Sequence, residues 1–271
     1  MMNIIKIENI EDERLDVFYR KSEKELHKAF NLNNGFFIAE SELVINRALD
    51  ANYKPISFLI IENEEDKYKD IFNRCDKDVL IYEVKEEIFK KLKGYLLIRG
   101  ILCIFERKKD LDVEDVLKNK KRIVVLEDVE NPTNVGAIFR NAIGLNADGV
   151  LLTSESCDPL YRRSIRTSMG NVFQTEYTYI DANNFIDILH SYGYKTVALA
   201  LRDDAIDIED ESLLNEERLA IILGSEGYGL NQKTIDDSDY VCKIKMNLSV
   251  DSLNVASASA IALYELCMKR K

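Results

Sequence analysis

Apolar and charged residues alternate along the first part of the chain with two different periods. Residues 3–30 repeat apolar side chains at helical spacing and predict a helical face. Short continuous apolar runs predict buried strands at 36–39, 56–61, 79–84 and 96–106. The amphipathic segments between them predict helices at 41–51, with Ser41 as the N-cap, 67–75 and 85–92. This alternation of strands and helices indicates a compact α/β unit.

A charged stretch, RKKDLDVEDVLKNKK over 107–121, interrupts the alternation and predicts a linker. We therefore expect a first domain over residues 1–110, a linker over 111–121 and a second domain over 122–271. In the second domain, strands are predicted at 122–126, 149–152, 173–179, 195–200, 219–223 and 240–246. Helices are predicted at 135–145, from Asp158 onward, at 183–192, at 232–239 and after the turn at 251–254. Residues 202–217 are expected to form a loop with at most a short helix. The alternation implies a mostly parallel sheet with helices on both faces.

Composition narrows the classes of function. The chain has no run of about 18 apolar residues and no signal-peptide segment, so we expect a cytoplasmic protein without a membrane span. Its five cysteines are widely spaced, which argues against a disulfide scaffold or a thiolate zinc site. With only His27 and His190, no metal site is expected. The net charge of −11 opposes nucleic-acid binding, although a basic cluster at 162–166 is a local exception.

Three polar loops follow predicted strands in the second domain. The first is NPTNVGAIFR over 131–140, the second is LGSEGYGL over 223–230, and the third is SLNV over 252–255. Each loop precedes a predicted helix. In open α/β sheets, ligands bind at the carboxyl ends of the strands. The three loops are therefore candidates for a binding site.

Taken singly, each loop also has an ordinary structural explanation. Asn134 is a good turn or cap residue, and Glu226 is compatible with a simple turn. Arg140 could be a surface arginine paired with Glu127 or Asp128. The glycines of the second loop follow the order G-x-x-G-x-G, whereas dinucleotide-binding loops follow G-x-G-x-x-G.

The stretch 244–265 begins as a strand, passes through a polar turn and becomes a helix of small residues. Asp251 or Ser252 would cap this helix, because either side-chain oxygen can accept a backbone N–H. The small side chains allow another part of the backbone to approach the helix closely.

In this order and spacing, the three loops resemble the motifs of the SpoU (TrmH-type) RNA ribose 2′-O-methyltransferases, a branch of the SPOUT class. The resemblance covers residues 120–269 and includes DPLYRR at 158–163 and SMG at 168–170. It implies an α/β fold whose C-terminal, mostly parallel sheet contains a deep trefoil knot, preceded by a small L30e-like α/β domain that binds the RNA substrate. It further implies S-adenosyl-L-methionine as cofactor and a homodimer formed through the C-terminal domain. The third motif departs from the family pattern at Lys245 and Leu248, where Pro and Gly are usual.

The resemblance assigns roles to individual residues. The catalytic set would be Arg140, Asn134, Glu226, Ser252 and Asn254. The cofactor contacts would come from Leu223, Gly224, Ile244, Met246 and Leu253. From their own spacing on a predicted helix, the arginines of the basic cluster could grip RNA phosphates; they are Arg162, Arg163 and Arg166. The resemblance leaves two roles open for Arg140, general base or stabiliser of charge on the ribose oxygen or an adjacent phosphate. Because the pKa of a guanidinium lies above about 12, we favour the second role.

The sequence therefore predicts S-adenosylmethionine-dependent 2′-O-methylation of a ribose in structured RNA, with ribosomal RNA favoured over transfer RNA. Two alternatives stay open. A catalytically inactive RNA-binding relative with the same knot is opposed by the intact Arg140, Asn134, Glu226 and Asn254. A dinucleotide-binding enzyme is opposed by the order of the glycines.

Overall fold

The computed structural model describes residues 3–28, 35–92, 100–247 and 252–270. The strands within these ranges are β1 (Asn3–Ile7), β2 (Phe36–Glu40), β3 (Pro55–Ile61), β4 (Leu80–Val84), β5 (Ile101–Glu106), β6 (Arg122–Leu126), β7 (Gly149–Leu152), β8 (Tyr177–Tyr179), β9 (Lys195–Leu199), β10 (Ile206–Asp207), β11 (Leu219–Leu223) and β12 (Tyr240–Lys243). The α-helices are α1 (Asp16–Tyr19), α2 (Glu23–Lys28), α3 (Glu42–Asp50), α4 (Lys69–Phe72), α5 (Glu86–Lys91), α6 (Val113–Leu117), α7 (Pro132–Gly144), α8 (Arg162–Thr167), α9 (Phe185–Ser191), α10 (Glu211–Asn215), α11 (Gln232–Asp237) and α12 (Val255–Leu266).

The chain divides into two compact units. Unit 1 comprises Met1–Lys109 and Leu160–Phe173, and unit 2 comprises Asp110–Pro159 and Gln174–Lys271. Each unit has its own sheet.

Unit 1 contains a mixed five-stranded sheet in the order β1-β4-β3-β5-β2. Strands β1, β4 and β3 are parallel, whereas β5 runs antiparallel to both β3 and β2. Phe18, Leu26 and Phe89 are buried in a core cluster that joins α1, α2 and α5 to this sheet. Burial of apolar area between these helices and the sheet is the main stabilising contribution in this unit.

The beginning of the chain differs from the helical prediction. Residues Asn3–Ile7 form a strand that pairs in parallel with β4, and the buried helical residues begin only at Leu15. Isoleucine is β-branched and fits a pleated surface, but the partner strand lies far along the chain, so helical periodicity could not reveal the pairing. Ser41 precedes α3 as predicted, yet its side chain makes no capping hydrogen bond.

Unit 1 also includes Leu160–Phe173, a segment predicted to belong to the second domain. The Arg47 guanidinium donates to the carbonyl of Met169 and to Asn171 Oδ1, both at 2.7 Å. The ring of Phe173 packs against that of Phe37 with centroids 5.3 Å apart. Helix α8 in this segment begins at Arg162, four residues later than the predicted start at Asp158. Contacts that are distant in sequence therefore determine which unit this segment joins.

Unit 2 contains a seven-stranded sheet in the order β10-β12-β9-β11-β6-β7-β8, in which every pair of neighbouring strands is parallel. The predicted α/β class with a large parallel sheet is thereby confirmed. The predicted linker belongs to this unit, because α6 buries Val116 and Leu117 completely. The predicted loop at 202–217 contains β10 and α10. Within the described ranges, none of the helices combines the length and apolarity needed to cross a lipid bilayer.

A carboxylate at the start of β12 connects this strand to its neighbour β9. Asp239 accepts hydrogen bonds from Lys195 Nζ at 2.7 Å and from the Thr196 N–H at 2.9 Å, and His190 Nε2 lies 2.8 Å away. Burial by itself raises the pKa of Asp239, but the hydrogen bonds from Lys195, Thr196 and His190 outweigh burial and hold that pKa well below its usual range. The ionised form of Asp239 therefore stabilises the fold.

We expect Asp239→Asn to lower the free energy of unfolding by about 1–2 kcal/mol near neutral pH, because the hydrogen bonds lose their charged acceptor. The folded pKa is depressed, so this stabilisation is fully present above the ordinary aspartate pKa of about 4, decreases as the pH falls below it and disappears only below the depressed folded pKa. Urea unfolding of both proteins between about pH 7 and pH 3 measures the difference.

The matched control is Asp237→Asn, since this nearby carboxylate has no hydrogen bond or ion pair to any described residue. The control should unfold like the wild type at every pH. A deficit of Asp239→Asn that stays constant down to pH 3 would contradict the assigned role.

Candidate active site at the carboxyl edge of the parallel sheet

Three loops of unit 2 are joined by a chain of side-chain hydrogen bonds. Asn134 Nδ2 donates to Glu226 Oε1, and Asn254 Nδ2 donates to Asn134 Oδ1 at 3.1 Å. Asn134 lies in the first turn of α7, Glu226 follows β11, and Asn254 precedes α12. The structure therefore brings together three residues that lie up to 120 positions apart in the sequence.

Helix capping fixes the starts of α7 and α12, the two helices at which the asparagines of this hydrogen-bonded chain lie. Asn131 caps α7 by accepting from the Thr133 N–H at 2.9 Å, with Pro132 at the first helical position. Asn254 caps α12, because its Oδ1 accepts from the Ala256 N–H at 2.9 Å. The predicted cap at Ser252 is therefore wrong, and the other predicted cap, Asp251, lies outside the described residues.

Glu127 holds two loops of the site together by buried hydrogen bonds, a role that was not predicted from the sequence. Glu127 is 1% exposed, and its carboxylate accepts from the Asn231 N–H at 2.8 Å and from the Thr234 hydroxyl. Its own N–H donates to the Leu223 carbonyl at 2.9 Å. These bonds hold the loop after β6 against the loop after β11. The available signal was a glutamate placed directly after a buried strand.

Arg140 is not paired in the way that the surface explanation requires. Glu127 is occupied as described above, and Asp128 accepts from the Thr153 hydroxyl at 2.7 Å. The Arg140 side chain is exposed, and among the described residues none forms a hydrogen bond or ion pair with its guanidinium. The Asn134 amide bonds Glu226 and Asn254, and no hydrogen bond joins it to Arg140.

A cavity of about 480 Å³ opens between these loops. Its lining includes all the predicted cofactor-contacting residues, namely Leu223, Gly224, Ile244, Met246 and Leu253. Three residues of the predicted catalytic set also line it: Glu226, Ser252 and Asn254. A further wall comes from 199–201, at the end of β9, which sequence reasoning did not assign to the site. The end of a buried strand at the same sheet edge was the signal for this wall.

Comparison with known proteins identifies the family of this chain. A model of the SpoU rRNA Methylase family matches residues 121–264. An uncharacterized tRNA/rRNA methyltransferase of Mycobacterium tuberculosis is 30% identical over 257 residues, which cover 94% of this chain and 88% of that protein.

This chain belongs to the SpoU rRNA methylase family.

Two other similar proteins add information about this SpoU family member. The 23S rRNA (guanosine(2553)-2′-O)-methyltransferase RlmP of Bacillus subtilis is 26% identical over 153 residues, covering 56% of this chain and 60% of that protein. The structure of an rRNA methyltransferase from Sinorhizobium meliloti with AdoMet bound covers 97% of both chains, with a TM-score of 0.83 and 22% identity. This last likeness concerns the fold.

The second loop of the SpoU site is packed too tightly for a side chain at its first glycine. A Cβ on Gly224 would lie 2.3 Å from the Gly229 carbonyl carbon and 2.5 Å from the Leu230 nitrogen. A Cβ on Gly227, in the same loop, would meet no atom within 4 Å. Close approach of the backbone therefore requires glycine at position 224 and not at 227.

The chemistry of the cavity does not include a reactive thiolate or a cluster of metal ligands. Burial raises the pKa of the Cys242 thiol, which lines the cavity, to about 12, so that this group stays protonated at neutral pH. Among the residues that the structure describes, no three acidic, histidine or cysteine side chains are grouped to hold a metal ion.

The predicted RNA-binding arginines lie on α8 in unit 1. The Arg162 side chain is 20% exposed, its Nε lies 3.6 Å from the Glu23 carboxylate, and burial lowers the pKa of its guanidinium. Arg163 and Arg166 have exposed side chains. Arg162 is thus the most buried arginine of the predicted cluster, whereas Arg163 and Arg166 are exposed.

We expect Gly224→Ala to lower the free energy of unfolding by about 1–3 kcal/mol, because the backbone of the loop must move to admit the methyl group. The thermal midpoint should fall by several degrees, and amide hydrogen exchange at Ser225 and Gly229 should accelerate. Gly227→Ala is the matched control and should leave both quantities close to wild type. Equal midpoints and exchange rates for the two variants would contradict the close approach at Gly224.

Proposed function

We propose that this protein transfers a methyl group from S-adenosylmethionine to a ribose 2′-hydroxyl in RNA, with ribosomal RNA as the substrate class. The observation that carries the proposal is the hydrogen-bonded chain Glu226–Asn134–Asn254 beside a cavity lined by all the predicted cofactor residues. Membership of the SpoU family supports methyl transfer, and the name of the Bacillus subtilis relative supports the 2′-hydroxyl of 23S rRNA.

The cavity fits a cofactor of this kind. Its volume lies within the range of about 300–1,000 Å³ usual for small-molecule sites. Its walls combine apolar side chains, such as Leu223 and Ile244, with the polar Ser252 and Asn254. When bound, S-adenosylmethionine would supply an electrophilic methyl group, so that the protein needs only to hold the ribose oxygen in line with it.

Arg140 is the residue to which we assign stabilisation of charge on the ribose oxygen. A guanidinium remains protonated at physiological pH, and the Arg140 side chain is exposed without an internal partner among the described residues. As the new O–C bond forms and the sulfur–methyl bond of the donor breaks, the hydroxyl proton would pass to solvent water, and a fixed positive charge would lower the energy of the negative charge that develops on the oxygen. Glu226 and Asn254, through Asn134, would position the loops that bind cofactor and ribose.

The remaining family features are part of the same proposal. Asn141 Nδ2 on α7 donates to the Ala256 carbonyl and to Ser259 Oγ, each at 2.9 Å, so that α12 lies close against α7. A helix threaded through a trefoil knot would need such close packing, and we propose the knot together with a homodimer formed through unit 2. We further propose that unit 1 is the L30e-like RNA-binding domain and that the protein acts in the cytoplasm.

The first experiment measures cofactor binding and methyl transfer together. Calorimetry should detect binding of S-adenosylmethionine and no binding of NAD. Tritium from labelled S-adenosylmethionine should enter ribosomal RNA extracted from cells that lack this protein. Arg140→Ala should reduce this transfer at least about 100-fold, the effect typical of losing one transition-state charge contact, with an unchanged cofactor affinity.

Three results would contradict parts of this proposal. Binding of NAD without S-adenosylmethionine would favour a dinucleotide enzyme. Binding of cofactor and RNA without any transfer would indicate an inactive RNA-binding relative. Undiminished transfer by Arg140→Ala would remove the role assigned to this arginine.

The hydrogen-bonded chain itself is tested by Asn134→Asp. This substitution keeps the shape of the side chain but places a second carboxylate against Glu226 and removes the donor, so that two like charges are in contact. We expect methyl transfer to fall by roughly 10- to 100-fold and the apparent affinity for S-adenosylmethionine to weaken, because about 1–3 kcal/mol of hydrogen bonding is lost.

Asn131→Asp is the matched control on the same helix. Aspartate caps a helix as well as asparagine does, so this variant should keep wild-type transfer and cofactor affinity. If Asn134→Asp were as active as Asn131→Asp, the chain would not organise the site.

A further inference from the structure

The loop after β11 presents one aromatic ring almost entirely to solvent. Tyr228 is 98% exposed, whereas the next most exposed large apolar side chain of the described residues, Leu201, is 54% exposed. Among the described residues, no ring or cation lies against Tyr228. An aromatic ring that is wholly hydrated is a candidate for contact with a partner.

The exposure of this ring comes from a closed turn. The Ser225 N–H donates to the Gly229 carbonyl at 3.1 Å, and the Gly229 N–H donates back to the Ser225 carbonyl at 3.0 Å. The Tyr228 N–H is 3.4 Å from Ser225 Oγ. The tight contact of Gly224 with Gly229 closes the base of the same turn. The backbone that carries the ring is therefore held in place before any ligand binds.

The turn places the ring at the rim of the cavity. Tyr228 is among the residues that line the cavity, and it follows Glu226 by two positions. A side chain that is 98% exposed extends outward from this rim and is not buried in the cavity. A ligand enclosed in the cavity would leave most of the ring uncovered. The ring is thus available to a molecule that approaches the cavity from outside.

We propose that Tyr228 stacks on a nucleobase of the RNA substrate, at or next to the nucleotide whose ribose enters the site. This inference rests on the proposed function. Base–aromatic stacking tolerates any base and contributes to affinity without phosphate contacts. Such a contact is useful to a chain with a net charge of −11, because its electrostatic attraction for RNA is confined to local patches.

The first test compares Tyr228→Ala with Tyr228→Phe, with ribosomal RNA from cells lacking this protein as the probe. Loss of the ring should weaken RNA binding and raise the KM for RNA by roughly 5- to 100-fold. Phenylalanine keeps the ring and should recover most of that loss. The affinity for S-adenosylmethionine should be the same in both variants. The slope of RNA affinity against salt concentration should also stay at the wild-type value, because no counterion-releasing contact is removed.

The second test uses the absence of tryptophan from the chain. Tyr228→Trp introduces a single tryptophan, and stacking on a base should quench its fluorescence when the same RNA is added. The matched control is Tyr192→Trp, in the half-buried residue that follows α9 and precedes β9, at the amino edge of the sheet. Its fluorescence should not respond to RNA beyond the optical absorption that both samples share.

The outcomes separate this inference from the proposed function. If the wild type methylates RNA and Tyr228→Ala keeps the wild-type KM and affinity for RNA, the stacking role is overturned while the proposed function stands. If S-adenosylmethionine without RNA quenches Tyr228→Trp, the ring contacts the cofactor and the inference is overturned. If the wild type neither binds the cofactor nor transfers methyl groups to RNA, both the function and the inference fail.

Discussion

The side-chain amide of Asn134 is the contact on which the geometry of the site depends. It donates to Glu226 and accepts from Asn254, which neither a carboxylate nor an aliphatic side chain of this size could do. Asn254 uses its other amide atom to cap α12, so the start of that helix is coupled to the first turn of α7. Three loops that separate strands of the sheet are thereby held in one arrangement.

The buried carboxylate of Glu127 extends this arrangement below the surface. A buried polar group must have its hydrogen bonds satisfied, and Glu127 obtains them from residues at the start of α11. The close contact of Gly224 with Gly229 adds a steric limit to the same loop. With the acids and amides engaged in these internal bonds, Arg140 is a cation of this region that stays exposed and available to a ligand.

The net charge of −11 opposes the binding of RNA phosphates, so recognition of RNA by this protein needs a physical explanation. Within the predicted basic cluster, Arg162 is largely buried in unit 1 and lies beside the Glu23 carboxylate. It therefore contributes to the stability of the fold more than to the electrostatic field outside the protein. Exposed arginines and an exposed aromatic ring are complementary in this situation. Charge attracts the phosphates over a distance of about 10 Å, whereas stacking acts only on contact and is insensitive to salt.

The local pattern of apolar and polar residues determined the parallel-sheet class and the candidate loops of this protein. Strands such as Leu219–Leu223 are continuous apolar runs, and polar loops follow them. The tertiary structure decided what depended on distant partners. Strand Asn3–Ile7 needs the hydrogen bonds of β4, and segment Leu160–Phe173 needs Arg47. The choice of Asn254 as the cap follows likewise from its second bond to Asn134. Periodicity reports which face of a segment is apolar, but it contains no information about which remote group completes its hydrogen bonds.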